Sequence, residues 1–178
     1  RPIIAQEKSA FNFREMMDSK KIFLVNLSKG RLGDINAELL GLIIVGKFSQ
    51  AAMSRVDSIG KPMNDFYLYI DEFQNFTTPA IASILSEARK YRLSLNVAHQ
   101  YISQLTEEIK GAIFGNVGSM AVFRISADDA KYLESKFSPT FTATDIMKIE
   151  NRHAYLSLLA EGTPKKPFDV DVLPPPKG

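Results

Sequence analysis

Residues 67–76 read Tyr-Leu-Tyr-Ile-Asp-Glu-Phe-Gln-Asn-Phe, an apolar run that delivers two adjacent carboxylates, Asp71 and Glu72, into a polar turn. A strand buried on both faces reads as a continuous hydrophobic run, and open α/β sheets bind ligands outside the carboxyl ends of their strands. The acid pair sits at that end. In a phosphoryl-transfer site, Asp71 holds Mg²⁺ directly or through a water, and Glu72 orients and deprotonates the attacking water. An isolated Asp-Glu pair also serves simply to end a strand and open a solvated loop. The neighbouring sequence has to decide between the two.

Outward from this stretch, apolar runs at Lys21 to Asn26, Phe66 to Asp71, Leu93 to Ala98, Met120 to Ile125 and His153 to Leu159 predict five buried strands. Helical patterns separate most of them. Ile35 to Val56 predicts a helix so apolar, through Leu39, Leu40, Ile43, Ile44 and Phe48, that it should be covered on more than one side. Pro79 suits a first helical position after Thr78 as cap, and Ile81, Ile84, Leu85 and Ala88 then recur with helical spacing. Glu87, Arg89 and Lys90 face away from that stripe. A helix around Thr106 to Phe114 groups Leu105, Ile109 and Ile113 and leaves Glu107, Glu108 and Lys110 wet. Ser126 with Asp129 resembles an acidic capping box for a helix to about Phe137, so Asp128 and Asp129 read as helix-start residues. A short helix follows near Ala143 to Ile149. From Gly162 the chain turns proline-rich, ending in the extended Pro174-Pro175-Pro176. Alternating strands and helices imply right-handed crossovers and a mostly parallel sheet with helices on both faces.

Composition narrows the classes. The 178 residues are enough for one well-packed domain, and 45% hydrophobic with 24% charged residues is ordinary for a globular protein. With no cysteine there are no disulfides or thiolate metal sites, which permits a reducing compartment. Two histidines without a carboxylate cluster at ligand spacing argue against zinc. A net charge of +2 gives no general attraction to nucleic acid, so any DNA contact must come from local loops. The longest apolar run, Leu39 to Gly46, is far below the roughly 20 residues that span a bilayer, so no transmembrane segment is expected. The opening Arg-Pro-Ile-Ile-Ala-Gln has no signal-peptide pattern and reads like mid-chain sequence.

A phosphate-gripping loop has the form G-x-x-x-x-G-K-[ST]. The nearest approach, Gly41-Leu-Ile-Ile-Val-Gly46-Lys47-Phe48, puts Phe48 where the Mg²⁺-binding hydroxyl belongs and lies within a helical pattern, so it reads as core helix. The glycines of Ser28-Lys29-Gly30-Arg31-Leu32-Gly33 suit a β-to-α turn. Gln100, at the tip of the strand after the acid pair, offers a donor and an acceptor with which to sense a γ-phosphate or the attacking water; an ordinary loop polar residue is the alternative. His99 beside it reads as a supporting histidine. Arg89, Arg92 and Arg124 are candidates for an arginine that reaches a neighbouring subunit's transition state, and each also suits a surface ion pair. Phe66, Tyr67 and Tyr69 read as core strand residues before base-stacking platforms.

Asp71-Glu72-Phe73-Gln74-Asn75, Glu87-Ala88-Arg89-Lys90-Tyr91, Ala98-His99-Gln100 and Asn116-Val117-Gly118 before Phe123-Arg124 occur in one order. Together with Asn26-Leu27-Ser28-Lys29-Gly30 and Gly33, this set resembles the C-terminal part of the motor domain of type IV secretion and conjugative DNA-transfer ATPases, in the FtsK and HerA class. The resemblance implies a RecA-like P-loop NTPase core over residues 1–170 and a proline-rich tail or linker over 171–178. It implies Walker B roles for Asp71 (Mg²⁺) and Glu72 (water activation), a sensor role for Gln100, and an intersubunit role for Arg89 or Arg124. ATP and Mg²⁺ are the implied cofactors of the whole protein. The implied partners are further copies in a homo-oligomeric ring, a hexamer by resemblance, together with DNA and secretion-machinery proteins. The implied place is the cytoplasmic face of the inner membrane.

The departure from the family is the missing Walker A strand and loop, which in this class lies mid-sheet between the strand ending at Gln100 and the strand ending at Arg124. The expectation is therefore a piece of a longer chain that alone neither binds ATP tightly nor hydrolyses it. The competing reading, from another class, is a non-catalytic nucleic-acid-binding or assembly module that keeps the fold.

Overall fold

The computed structural model describes residues 9–77 and 79–174, which divide into two compact units. The first takes in the chain to His99 together with Glu107–Ile113, and the second takes in Gln100–Thr106 and the chain from Phe114. Thr78, the expected cap, and the tail from Pro175 lie outside the described residues.

The first unit opens with α1 (Phe13–Asp18), capped by the Asn12 side chain, and α2 (Lys29–Leu32). Gly33, at φ 79°, makes the turn into α3 (Asp34–Met53), and a 3₁₀ turn continues to Ser58. Strand β1 (Phe66–Ile70) runs into a 3₁₀ turn at Phe73–Phe76, then α4 (Pro79–Glu87), a further turn at Ala88–Tyr91, and β2 (Leu93–Val97). The two strands pair in parallel, with Phe66 opposite Leu93 and Ile70 opposite Val97, so both point the same end at the acid turn. Phe48 of α3 stacks on Phe66 with ring centroids 5.2 Å apart, which lays α3 on one face of the pair. Phe13 meets the same Phe48 edge-on, and Phe11 and Phe23 complete the aromatic cluster.

Helix α3 buries Ala37, Leu40, Val45, Phe48, Ala51 and Ala52 but leaves Ile35, Leu39 and Ile43 exposed, so it is covered on one side rather than on several. By length and composition Asp34–Ser58 could cross a membrane, although the sequence holds no single apolar run of that length. Its packing on Phe13 and Phe66 is that of a core helix. The expected strand at Lys21 to Asn26 does not form. No backbone ladder pairs it among the described residues, Phe23 joins the aromatic cluster, and Ile22 and Leu24 are 88% and 89% exposed. Between this segment, β1 and α3 lies a cavity of about 880 Å³.

Helix α5 (Glu107–Asn116) buries Ile109 and Ile113, while Lys110, expected wet, pairs with Glu107 at 2.8 Å and is largely covered. In the second unit β3 (Met120–Val122) leads to α6 (Ala127–Phe137), whose Ser126 side chain accepts from the Asp129 N–H as the spacing predicted. Asp129 is also buried, and it accepts the Ile102 N–H at 3.3 Å. Helix α7 (Ala143–Met147) carries a full Thr142/Asp145 capping box. Strand β4 (His153–Ser157) is followed by a hairpin of β5 (Leu159–Ala160) and β6 (Thr163–Pro164), and β7 (Phe168–Asp171) ends the fold. Glu161 and Gly162, both at positive φ, form the hairpin's two-residue turn. The proline-rich stretch from Gly162 carries a strand that was not expected: β7 pairs antiparallel with β4, which pairs antiparallel with β3. Parallel pairing, expected for most of the sheet, is confined among the described residues to β1 and β2. Val122, Ala130, Leu133, Phe137, Ile146 and Ile149 form the second core, with Phe141 stacked on Tyr155.

Candidate functional site

The turn after β1 is fastened from below and polar above. Ala98 N–H donates to the Ile70 carbonyl at 2.9 Å and Phe73 N–H donates to the Ala98 carbonyl at 2.9 Å, so the end of β1 is clamped to the end of β2. The Phe73 side chain is fully buried. Phe76 lies against α3 at Gly41, where a Cβ would overlap its ring. Gly41 belongs to the helix, as expected, and its lack of a side chain is what lets the turn seat.

Above these anchors, Glu72 adopts φ 48°, ψ 45°, the left-handed region that a residue with a Cβ enters at a cost. Three hydrogen bonds offset that cost. Asp71 Oδ1 accepts the Glu72 N–H at 2.9 Å, Asn75 N–H donates to the Glu72 carbonyl at 3.0 Å, and Gln74 Nε2 donates to Glu72 Oε2 at 2.6 Å. Asp71 is exposed and Glu72 half-buried. Lys29 Nζ reaches Asn75 Oδ1 at 3.5 Å and Asp34 Oδ1 at 3.6 Å, and Lys29, Asp71 and Glu72 all line the cavity beside β1.

Arg89 is exposed on the 3₁₀ turn after α4, with no ion-pair partner among the described residues. Arg92, in the left-handed region, pairs with Asp65 at 3.4 Å. Gln100 is exposed at the start of the second unit, directly after the half-buried His99 of the first. Arg124 in the second unit donates to Asn151 Oδ1 at 3.0 Å. Sequence reasoning missed Gln74 and Lys29 as neighbours of the acid pair. Gln74 follows Glu72 by two positions, but only the turn's geometry folds its amide back; Lys29 is distant in sequence, and its place in the resembling set pointed to no contact with the turn.

Among the described residues no group of three or more His, Cys, Asp or Glu side chains stands ready to hold a metal. Mg²⁺ bound together with substrate phosphates needs only one or two protein carboxylates, with waters completing its shell.

Residues 65–154, half of the chain, match the family described as the TraM recognition site of TraD and TraG. The chain belongs to the TraD/TraG family. Among solved structures, a bacterial conjugative coupling protein, TrwBdeltaN70 in its unbound monoclinic form, superimposes with a TM-score of 0.59 at 18% identity, over 73% of this chain and 36% of that one. The genome packaging NTPase B204 from Sulfolobus turreted icosahedral virus 2, in complex with ATP-gammaS, does so with a TM-score of 0.57 at 16% identity, over 89% of this chain and 71% of that one. The chain therefore spans little more than a third of the coupling protein's length. Nothing among the curated proteins matches. At such identities the likeness establishes fold, and this TraD/TraG family member has the RecA-like P-loop NTPase fold with part of its core.

Proposed function

We propose that this chain supplies the acid half of the ATP-hydrolysing site of a translocase of conjugation or type IV secretion. In this reading Asp71 and Glu72 form its Walker B pair. Asp71 binds Mg²⁺ with the nucleotide's phosphates completing the shell, and Glu72 orients and deprotonates the attacking water. The observation that carries the proposal is Glu72 itself: a glutamate in a costly backbone conformation, at the carboxyl end of a parallel strand, is held there by hydrogen bonds on both its carbonyl and its carboxylate. A turn that merely ended a strand would need none of this.

ATP is the nucleotide of choice because the packaging NTPase of like fold was captured with ATP-gammaS and with AMPPCP. The phosphate-binding loop comes from outside this sequence, and the 178 residues alone neither hold ATP tightly nor turn it over. Gln100 acts as the γ-phosphate sensor. Arg89, exposed and without an ion-pair partner among the described residues, is favoured over Arg124 as the arginine offered to the next subunit of a ring, because Arg124 is engaged by Asn151. DNA is the cargo we propose, in line with the conjugative coupling protein and the genome packaging NTPase of like fold, and a TraM-like protein is the proposed partner, in line with the family's description as a TraM recognition site; the inner membrane's cytoplasmic face is the proposed place.

The test is Glu72→Gln in the full-length protein. Nucleotide binding should persist while hydrolysis falls by about 10²-fold or more, the usual contribution of a general base. Undiminished turnover would remove Glu72 from the mechanism, and absence of any nucleotide binding by the unmodified protein would leave a non-catalytic module.

A further inference from the structure

We propose that Gln74 is a positioning residue whose amide N–H fixes the Glu72 carboxylate for water activation; this rests on the role given to Glu72 above. Gln74 Nε2 lies 2.6 Å from Glu72 Oε2, at the short end for an N–H donor facing a charged oxygen. The backbone on either side leaves little slack. Phe73 is fully buried before it, and the Asn75 N–H closes on the Glu72 carbonyl after it. The 3₁₀ turn thus projects the amide back over the carboxylate two residues earlier.

The other half of the amide argues that stability did not place it. Gln74 Oε1 is buried with no hydrogen-bond partner among the described residues. A buried carbonyl oxygen without a donor is unfavourable, whereas an apolar side chain of the same length would fill the space without that cost. Holding the Glu72 carboxylate supplies a reason for the glutamine. A neutral donor also suits the task, because it orients the carboxylate without neutralising it. A cation in the same place would form an ion pair and compete with Mg²⁺ for the acid pair.

Steady-state ATP hydrolysis by the full-length protein tests this with Gln74→Met, Gln74→Lys, Glu72→Gln and the Glu72→Gln/Gln74→Met double variant. Gln74→Met keeps length and bulk but has no donor. It should lower kcat by about tenfold or more while leaving KM for ATP unchanged, as expected when a catalytic group is misplaced and substrate binding is left intact. Gln74→Lys restores a donor of similar reach, and at Mg²⁺ concentrations high enough to outcompete its charge it should recover much of kcat. In the Glu72→Gln background, Gln74→Met should cost nothing further, because a residue that acts through Glu72 has nothing left to act on. A rise in KM with kcat unchanged, equal losses in the Met and Lys variants, or a multiplicative loss in the double variant would each overturn the positioning role while leaving that of Glu72 intact. Full activity in Glu72→Gln would instead overturn the role of Glu72, and this inference with it.

Discussion

Arg55 is fully buried, and replacing it with methionine should unfasten the base of the parallel strand pair. Its Nε donates to Asp18 Oδ1 at 3.0 Å, and its Nη1 donates to the carbonyls of Asn64 at 3.1 Å and Tyr91 at 2.8 Å. Nη2 stands 2.9 Å from the same Asp18 oxygen, an ion-pair distance without hydrogen-bond geometry, so it adds charge attraction and not a further bond. Asn64 and Tyr91 lie just before β1 and β2 respectively, and one side chain therefore ties α1 to the start of both strands. Each carbonyl bond from a charged donor is worth about 1.5 kcal/mol at the low end of its range. The Asp18 pair adds at most about 1 kcal/mol, because Asp18 is 42% exposed and water screens it. Against this sum of about 4 kcal/mol, methionine recovers something through apolar burial and through the charge no longer held out of water. The net expectation is a loss of about 3 kcal/mol. Urea unfolding followed by far-ultraviolet circular dichroism measures it as a lower midpoint at unchanged slope. A loss below about 1 kcal/mol, or a gain, would refute the reasoning and mean that burying the guanidinium costs as much as its bonds return.

Gly41→Ala should destabilise by about 1–3 kcal/mol, since the new methyl overlaps the Phe76 ring. In a Phe76→Ala background the sign should reverse, with alanine favoured over glycine in the helix by up to about 1 kcal/mol; thermal melts of the four variants check both, and destabilisation in both backgrounds would refute the clash. His153 is gripped by Asp169 and Asp171, with Nδ1 3.0 Å from Asp169 Oδ2 and Nε2 3.0 Å from Asp171 Oδ1. The hydrogen bond to Asp169 is the largest cause of a raised imidazole pKa, opposed by desolvation and reinforced by the charges of Asp169, Asp171 and Glu150. A pKa raised on folding adds stability that is fully present below the unfolded value of about 6.5 and is lost as pH rises through the folded value. The β4–β7 pairing should therefore protect its amides from hydrogen exchange more at about pH 6 than at about pH 8.5 after correction for intrinsic exchange, and His153→Asn should flatten the difference.

The elements legible in the sequence were those whose periodicity their own burial enforces. Ile81, Ile84 and Ala88 lie on one helical stripe and are buried together, and Ser126 caps α6 through the Asp129 N–H as its spacing said. What failed was set by distant partners. Ile22 and Leu24 have the composition of a strand, but a strand exists only where another edge accepts its ladder, and none does among the described residues. Phe168–Asp171 failed in the opposite sense, since a stretch flanked by prolines gains a strand because β4 offers its edge. Arg55 carried no signal, sitting in Ser-Arg-Val-Asp where a solvated helix end is the natural reading. Its three acceptors come from positions 18, 64 and 91, which only folding brings together.

The site divides along the same line. Position told where Asp71 and Glu72 would lie, because an apolar run ending in carboxylates fixes the strand end. It did not tell how Glu72 would be held. A left-handed glutamate has no composition signature; glycine or asparagine would adopt that backbone more readily. The turn is held by hydrogen bonds within it and by the clamp to the end of β2, and each neighbour has more than one part. Asp71 contributes a carboxylate to the exposed face and an acceptor for the Glu72 N–H, and Phe73 locks the turn through its buried ring and through its N–H on Ala98. This double use makes the identity of residues 71–76 more constrained than an acid pair alone requires. A loop that needed only two charges could place them on many sequences, whereas a loop that must hold one carboxylate at a fixed bearing needs the donor at Gln74 and the anchors at Phe73 and Phe76 as well.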